Sequence, residues 1–138
     1  MSNSNLDGRA YATLVTAFET ETGEARLIKL YYYKHVPWEI HFIGATLIYP
    51  VARKLLHTSL IERRNAGFHR VLVSPPNWNN YITINFEGYA LNLPAADVRR
   101  VLLASYEIVD PEQELTEKFL DLVVKGLYNK KWIPRYFE

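Results

Sequence analysis

Glu39 and His41 stand two positions apart, a spacing that puts both side chains on one side of a strand. They are the nearest thing in this chain to a local acid–base or metal-ligand pair. His35, His57 and His69 would have to join them through folding, and their spacings match no zinc-binding pattern. Ser59 is followed by Leu60 without a G-x-S-x-G context, and Ser74 precedes two prolines without a recognisable triad. Neither a glycine-rich phosphate cradle nor a paired-glycine dinucleotide fingerprint occurs. The chain has no cysteine, which removes thiolate catalysis, disulfides and cysteine-based zinc sites. An ordinary polar sheet face, or a hydrogen-bonded core histidine, explains these residues more simply than catalysis does. A pocket of His41, His57 and His69 for a metal or small ligand ranks below surface binding. The expectation is therefore a protein that is not an enzyme, with no cofactor and no resident metal.

Cations and rings offer a different chemistry. Residues 26–100 carry ten Lys/Arg against four Asp/Glu, a local balance of +6, although the whole chain sums to +1. On a helix over 51–65, Arg53, Lys54, His57 and Arg64 share the polar arc and could contact phosphates. Trp78, Tyr81 and one of Tyr31 or Tyr33 could stack on bases. Cations neutralise a nucleic-acid backbone while rings tolerate any sequence, so single strands are expected over duplexes. This gives the leading expectation, a non-catalytic nucleic-acid-binding protein with weak sequence preference.

The alternative is a protein-interaction or self-assembly module, such as an inhibitor or assembly factor. Tyr32, Trp132, Tyr136 and Phe137 are its candidate anchors, because large rings with polar handles suit interfaces. Adjacent tyrosines on a strand point in opposite directions, so Tyr31, Tyr32 and Tyr33 cannot all belong to one surface. Whichever face the fold buries, at least one ring faces away from it, which favours a homo-oligomer or a protein partner.

The elements that position these residues read as follows. Residues 10–19 alternate, with Leu14, Thr16 and Phe18 opposite Thr13, Val15 and Ala17. Thr20-Glu21-Thr22-Gly23 is a turn, and residues 25–33 return as a second strand with Leu27, Lys29, Tyr31 and Tyr33 on one side. Residues 39–49 are expected as a third strand, with Pro50 opening the helix that ends at Gly67. Residues 69–73 are extended, 81–86 and 89–93 form a hairpin about Glu87-Gly88, and a short helix runs from about 94 to 104. A last helix starts at Asp110, with Pro111 at its first position and an apolar stripe of Leu115, Phe119, Leu122, Val123 and Leu127.

These elements predict an α+β protein: a compact, largely antiparallel or mixed sheet covered by two or three helices; the segment 40–73 is also readable as a right-handed crossover, but the repeated hairpin signals weigh against a doubly wound sheet. One domain spans residues 1–138, with 1–8 a flexible N-terminus and 130–138 an aromatic docking segment. No secretory signal and no run of eighteen apolar residues occur, so a cytoplasmic protein with no membrane partner is expected.

Overall fold

The computed structural model describes residues 10–45, 48–68 and 70–112. Two long strands come first, β1 (Ala10–Glu19) and β2 (Ala25–Tyr33). Their strict alternation leaves Tyr11, Val15, Ala17, Ile28, Leu30 and Tyr32 buried on one face. Gly23 sits at φ 74° in the turn between them, a region glycine enters without a steric penalty. β3 (Glu39–Ile43) and β4 (Ile48–Ala52) complete a first four-stranded meander. After α1 (Arg53–Leu60) a second meander follows: β5 (Ala66–Phe68), β6 (Val71–Val73), β7 (Tyr81–Phe86) and β8 (Tyr89–Pro94). The β7–β8 turn holds Glu87 at φ 54° and Gly88 at φ 96°, as a tight two-residue hairpin requires. α2 (Ala95–Ile108) ends the described fold.

All eight strands form one antiparallel sheet in the order β4-β3-β2-β1-β8-β7-β6-β5. The two meanders join only at the end of β1, where Phe18 pairs with Asn92 and Glu19 with Leu91. So short a seam lets the halves swing towards each other, and the sheet curls into a half-barrel. Phe86 of β7 meets β3 and β4 across the curl: its ring lies 5.9 Å from Phe42 and stacks on Tyr49 at 4.5 Å. α2 packs on β1, β2 and β8 through Val98, Val101 and Leu102, and α1 lies against α2, β4, β5 and β6.

The expected sheet covered by helices gives way to this curled, wholly antiparallel sheet, with two helices among the described residues. No pairing is parallel among the described strands, so the crossover over 40–73 is replaced by hairpins. Residues 39–49 split into β3 and β4 around Gly44, because Ile48 and Tyr49 pair back onto Ile43 and Phe42. Pro50 does not open a helix. It sits in the sheet's outermost strand opposite His41, where a residue lacking an N–H is tolerated and discourages further strand addition. The helix shrinks accordingly to eight residues, and Arg63 at φ 57° helps turn the chain beyond it. Gly67 is a strand residue rather than a terminator; a Cβ there would come within 2.5 Å of Leu72 Cδ2.

α2 outruns its expected end at 104 by four residues. The helix expected from Asp110 lies almost wholly outside the described residues. At its start, the Glu112 N–H donates to the Asp110 carboxylate at 2.9 Å, the bond expected of a capping aspartate.

Candidate protein interface

Strand alternation turns half of each strand away from the core, and on the first meander that outer face mixes exposed apolar residues with Thr16, Lys29, Glu39 and His41. Leu14 pairs with Lys29, Lys29 with Ile43, and Ile43 with Ile48, making one row across four strands. At ordinary strand spacing the row is about 14 Å wide. Beside it runs a second row of Ala12, Tyr31, His41 and Pro50. Leu27, opposite Thr16, extends the surface at one end, and Tyr33, opposite Ala10, extends it at the other. Ile48 is 67% exposed, Leu27 63% and Leu14 38%. Tyr31 and Tyr33 lie nearly parallel, 6.1 Å apart, and the Lys29 ammonium sits 5.4 Å from the centre of the Tyr31 ring. His41 Nε2 is 3.7 Å from Glu39, so the pair singled out for chemistry belongs to this face.

The proposed phosphate contacts are not one surface. Arg53 is 1% exposed and lies between the Tyr32 and Tyr106 rings, 5.1 and 5.0 Å from their centres. Its guanidinium donates to Ser105 Oγ at 3.2 Å and to the Val109 carbonyl at 2.9 Å. It therefore ties the start of α1 to the end of α2 and cannot reach a phosphate outside. A charged residue on a helix's polar arc normally faces water; here α2 covers the Arg53 end of that arc, while Lys54 stays exposed.

His57 shares its Nδ1 with the Tyr106 hydroxyl at 3.1 Å and faces Glu62 at 3.7 Å. Arg64 pairs with Glu62. That hydrogen bond, with the charges of Arg64, His57 and Lys54 adding less each, holds the Glu62 carboxyl below its usual range although desolvation opposes it. Lys54 is exposed and makes no ion pair among the described residues.

The rings separate too. Tyr81 lies against Phe18, with ring centres 6.3 Å apart, at the seam end of β1. Through its pairing with Pro94, Tyr81 lies level with Thr16, whereas Tyr31 pairs with Ala12 three strands away, which puts the two tyrosines about 13 Å apart along the strands and about 14 Å across them. Trp78 is 91% exposed on a loop held by Asn77, whose side-chain oxygen accepts the Asn79 and Tyr81 N–H groups at 2.9 and 3.0 Å. Tyr32 is a core residue, its hydroxyl donating to the Pro37 carbonyl at 3.0 Å, so it does not serve as a surface anchor. His35 lies edge-on to Tyr33. Among the described residues no three acidic or histidine side chains converge as metal ligands. His69, Trp132, Tyr136 and Phe137 lie outside the described residues.

Leu14, Leu27 and Ile48 are the surface residues that the initial emphasis on cations and rings passed over. The signal was present in the alternation, which had already grouped Leu27 with Lys29, Tyr31 and Tyr33.

Two solved structures are similar to this chain. An SsgA-like sporulation-specific cell division protein from Thermobifida fusca aligns with a TM-score of 0.73 at 19% identity, over 89% of this chain and 98% of its own. A structure of SsgB from Streptomyces coelicolor, whose mutations are described as correlating with longitudinal cell division during sporulation, aligns with a TM-score of 0.68 at 20% identity, over 78% and 94%. At these identities the likeness establishes the fold. No protein family and no curated protein matches the sequence.

Proposed function

We propose that this chain is a non-catalytic protein-interaction module of an assembly that acts in cell division, docking through the outer face of its first meander. The observation that carries this is the row Leu14, Lys29, Ile43 and Ile48 with Leu27 beside it, a largely apolar surface broken by the exposed Lys29 and left open by a fold whose core is already filled. The fold it shares with two cell division proteins supports the setting. Docking by the face rather than the edge follows from Pro50 in β4 and the three-residue length of β5, both poor templates for an added strand.

The first partner to test is a second copy of the chain. The wild type is expected to self-associate in light scattering over a wide concentration range. Leu27→Glu combined with Ile48→Glu is expected to release the monomer with an unchanged circular dichroism spectrum. Association that survives the double substitution in a folded protein would rule out this face. A wild type that stays monomeric, and loses no co-purifying protein on substitution, would reject the module itself. Nucleic-acid binding loses its basis with Arg53 buried, Arg64 paired and the rings apart; no saturation by a short single strand at low salt is expected.

A further inference from the structure

On the far side of α1 from Arg53's contacts, the two outermost strands of the sheet come to one cleft. It is lined by the end of β4 from Pro50, by Lys54, Leu55 and Thr58 of α1, by Arg64 and by β5, and its volume is about 370 Å³. That is the lower part of the range of small-ligand pockets and suits a side chain or two rather than a folded surface. The lining is apolar at Val51, Leu55, Phe68 and Val71, and its charged members are Lys54 and Arg64, with no acidic residue among the lining.

A third source of positive potential is built into the backbone. α1 opens at Ala52 without a side-chain cap and has no acidic residue in its own first turn to offset the positive end of its dipole. Glu62 engages Arg64 from outside the lining and leaves Lys54 without an ion pair among the described residues. Apolar walls with a cationic rim select a ligand that is apolar and anionic at once.

We infer that this cleft binds a short acidic–apolar peptide segment of a partner protein, seating an apolar side chain against Leu55 and Phe68 and a carboxylate at Lys54, with Arg64, already paired with Glu62, as a second and weaker contact. Charge complementarity identifies the occupant. The cleft adjoins the outer sheet face at Pro50, but none of Leu14, Leu27, Lys29, Ile43 and Ile48 lines it, so the two surfaces can be tested apart.

The probe is a fluorescently labelled hexapeptide alternating glutamate and leucine, titrated into the full chain at low salt, with a glutamine–leucine version as the uncharged control. Saturable binding of the acidic probe alone is expected. Lys54→Gln with Arg64→Gln should weaken it about tenfold, the size of one charge-assisted hydrogen bond. Arg70→Gln is the charge control: Arg70 lies outside the cleft, paired with Glu87, and its loss should leave the affinity unchanged. Thr58→Phe, which fills the cleft, should abolish binding; if that variant does not fold, the surface charge variants still decide. Equal weakening by Arg70→Gln would reduce the effect to diffuse attraction and overturn the site, as would no saturation in folded wild type. The Leu27→Glu and Ile48→Glu variant should bind the probe normally, which separates failure of the cleft from failure of the sheet-face interface.

Discussion

Both meanders are successions of antiparallel hairpins, yet the outer faces of β1 to β4 and of β7 with β8 differ in composition. Both bury every second residue: Ile28, Leu30 and Tyr32 in β2, and Ile82, Ile84 and Phe86 in β7. Outside, the first meander shows Leu14, Leu27, Ile43 and Ile48, whereas most of the paired face of β7 and β8 is polar. There Thr83 Oγ1 donates to Asn92 Oδ1 at 2.6 Å, and Asn85 Oδ1 accepts the Gly88 N–H at 2.7 Å. Inner residues are dictated by the core, so their apolarity says little about function. Outer residues are free to be polar, and β7 and β8 use that freedom at Thr83, Asn85 and Asn92, although β6 beside them exposes Leu72. An apolar outer row on the first meander is therefore information about a partner.

The largest expected effect tests the inner half of this contrast. Phe86 is where the meanders meet, and Phe86→Ala should cost about 3–5 kcal/mol in denaturant unfolding, as large-to-small core changes do. Leu27→Ala on the outer face should stay within about 0.5 kcal/mol under dilute, monomeric conditions. A Leu27 cost approaching that of Phe86 would mean that the outer row is a part of the core, and the contrast would fail.

Next in size is Arg53, the cation that joins the helix of one meander to the helix of the other. Arg53→Met keeps much of the volume between Tyr32 and Tyr106 but leaves the Val109 carbonyl and Ser105 hydroxyl without their donor. A loss of about 1–3 kcal/mol is expected. Stability equal to or above that of wild type would show that packing alone holds α1 on α2, and would leave the guanidinium without a structural reason.

How far these features were legible depends on whether their cause is local. The hairpin of residues 10–33 and the Glu87-Gly88 turn are written in alternation and turn chemistry, and the structure has both. The role of Pro50 was not, because a proline after an apolar run opens a helix as readily as it protects an edge; only its pairing with His41 decides. The fate of Arg53 was equally hidden. Its place on the polar arc of α1 is a local fact, while its burial depends on α2, more than forty residues on. The apolar outer row was legible as a list of residues but not as a surface. The side of a strand that faces the core is set by the long-range seam between β1 and β8, which involves two residue pairs.

That seam carries the smallest and most specific effect. Glu19 lies within it and gathers both halves: its carboxylate accepts the Tyr89 hydroxyl at 2.8 Å from the second meander, and Thr22 Oγ1 and Arg26 Nε, each at 2.9 Å, from the first. The hydrogen bond from Tyr89, then that from Thr22, hold the Glu19 carboxyl below its ordinary range, with Arg26 adding to them against a partial desolvation. A carboxyl lowered in the folded state stabilises above its unfolded pKa, and that contribution is lost as pH falls through the lower folded value. Tyr89 is shifted the other way, upward, by burial first and by its bond to Glu19 second. Its contribution is present below the unfolded phenol pKa and lost as pH rises through the folded one. Glu19→Gln should therefore lower the melting temperature at neutral pH by less than either core variant, since the network is partly open to solvent. The gap from wild type should close as the solution is acidified below the carboxylate range, where wild-type Glu19 is itself neutral. A gap that stays constant from neutral to acid pH would assign the loss to packing at the seam and remove charge from the account of how the two meanders are joined.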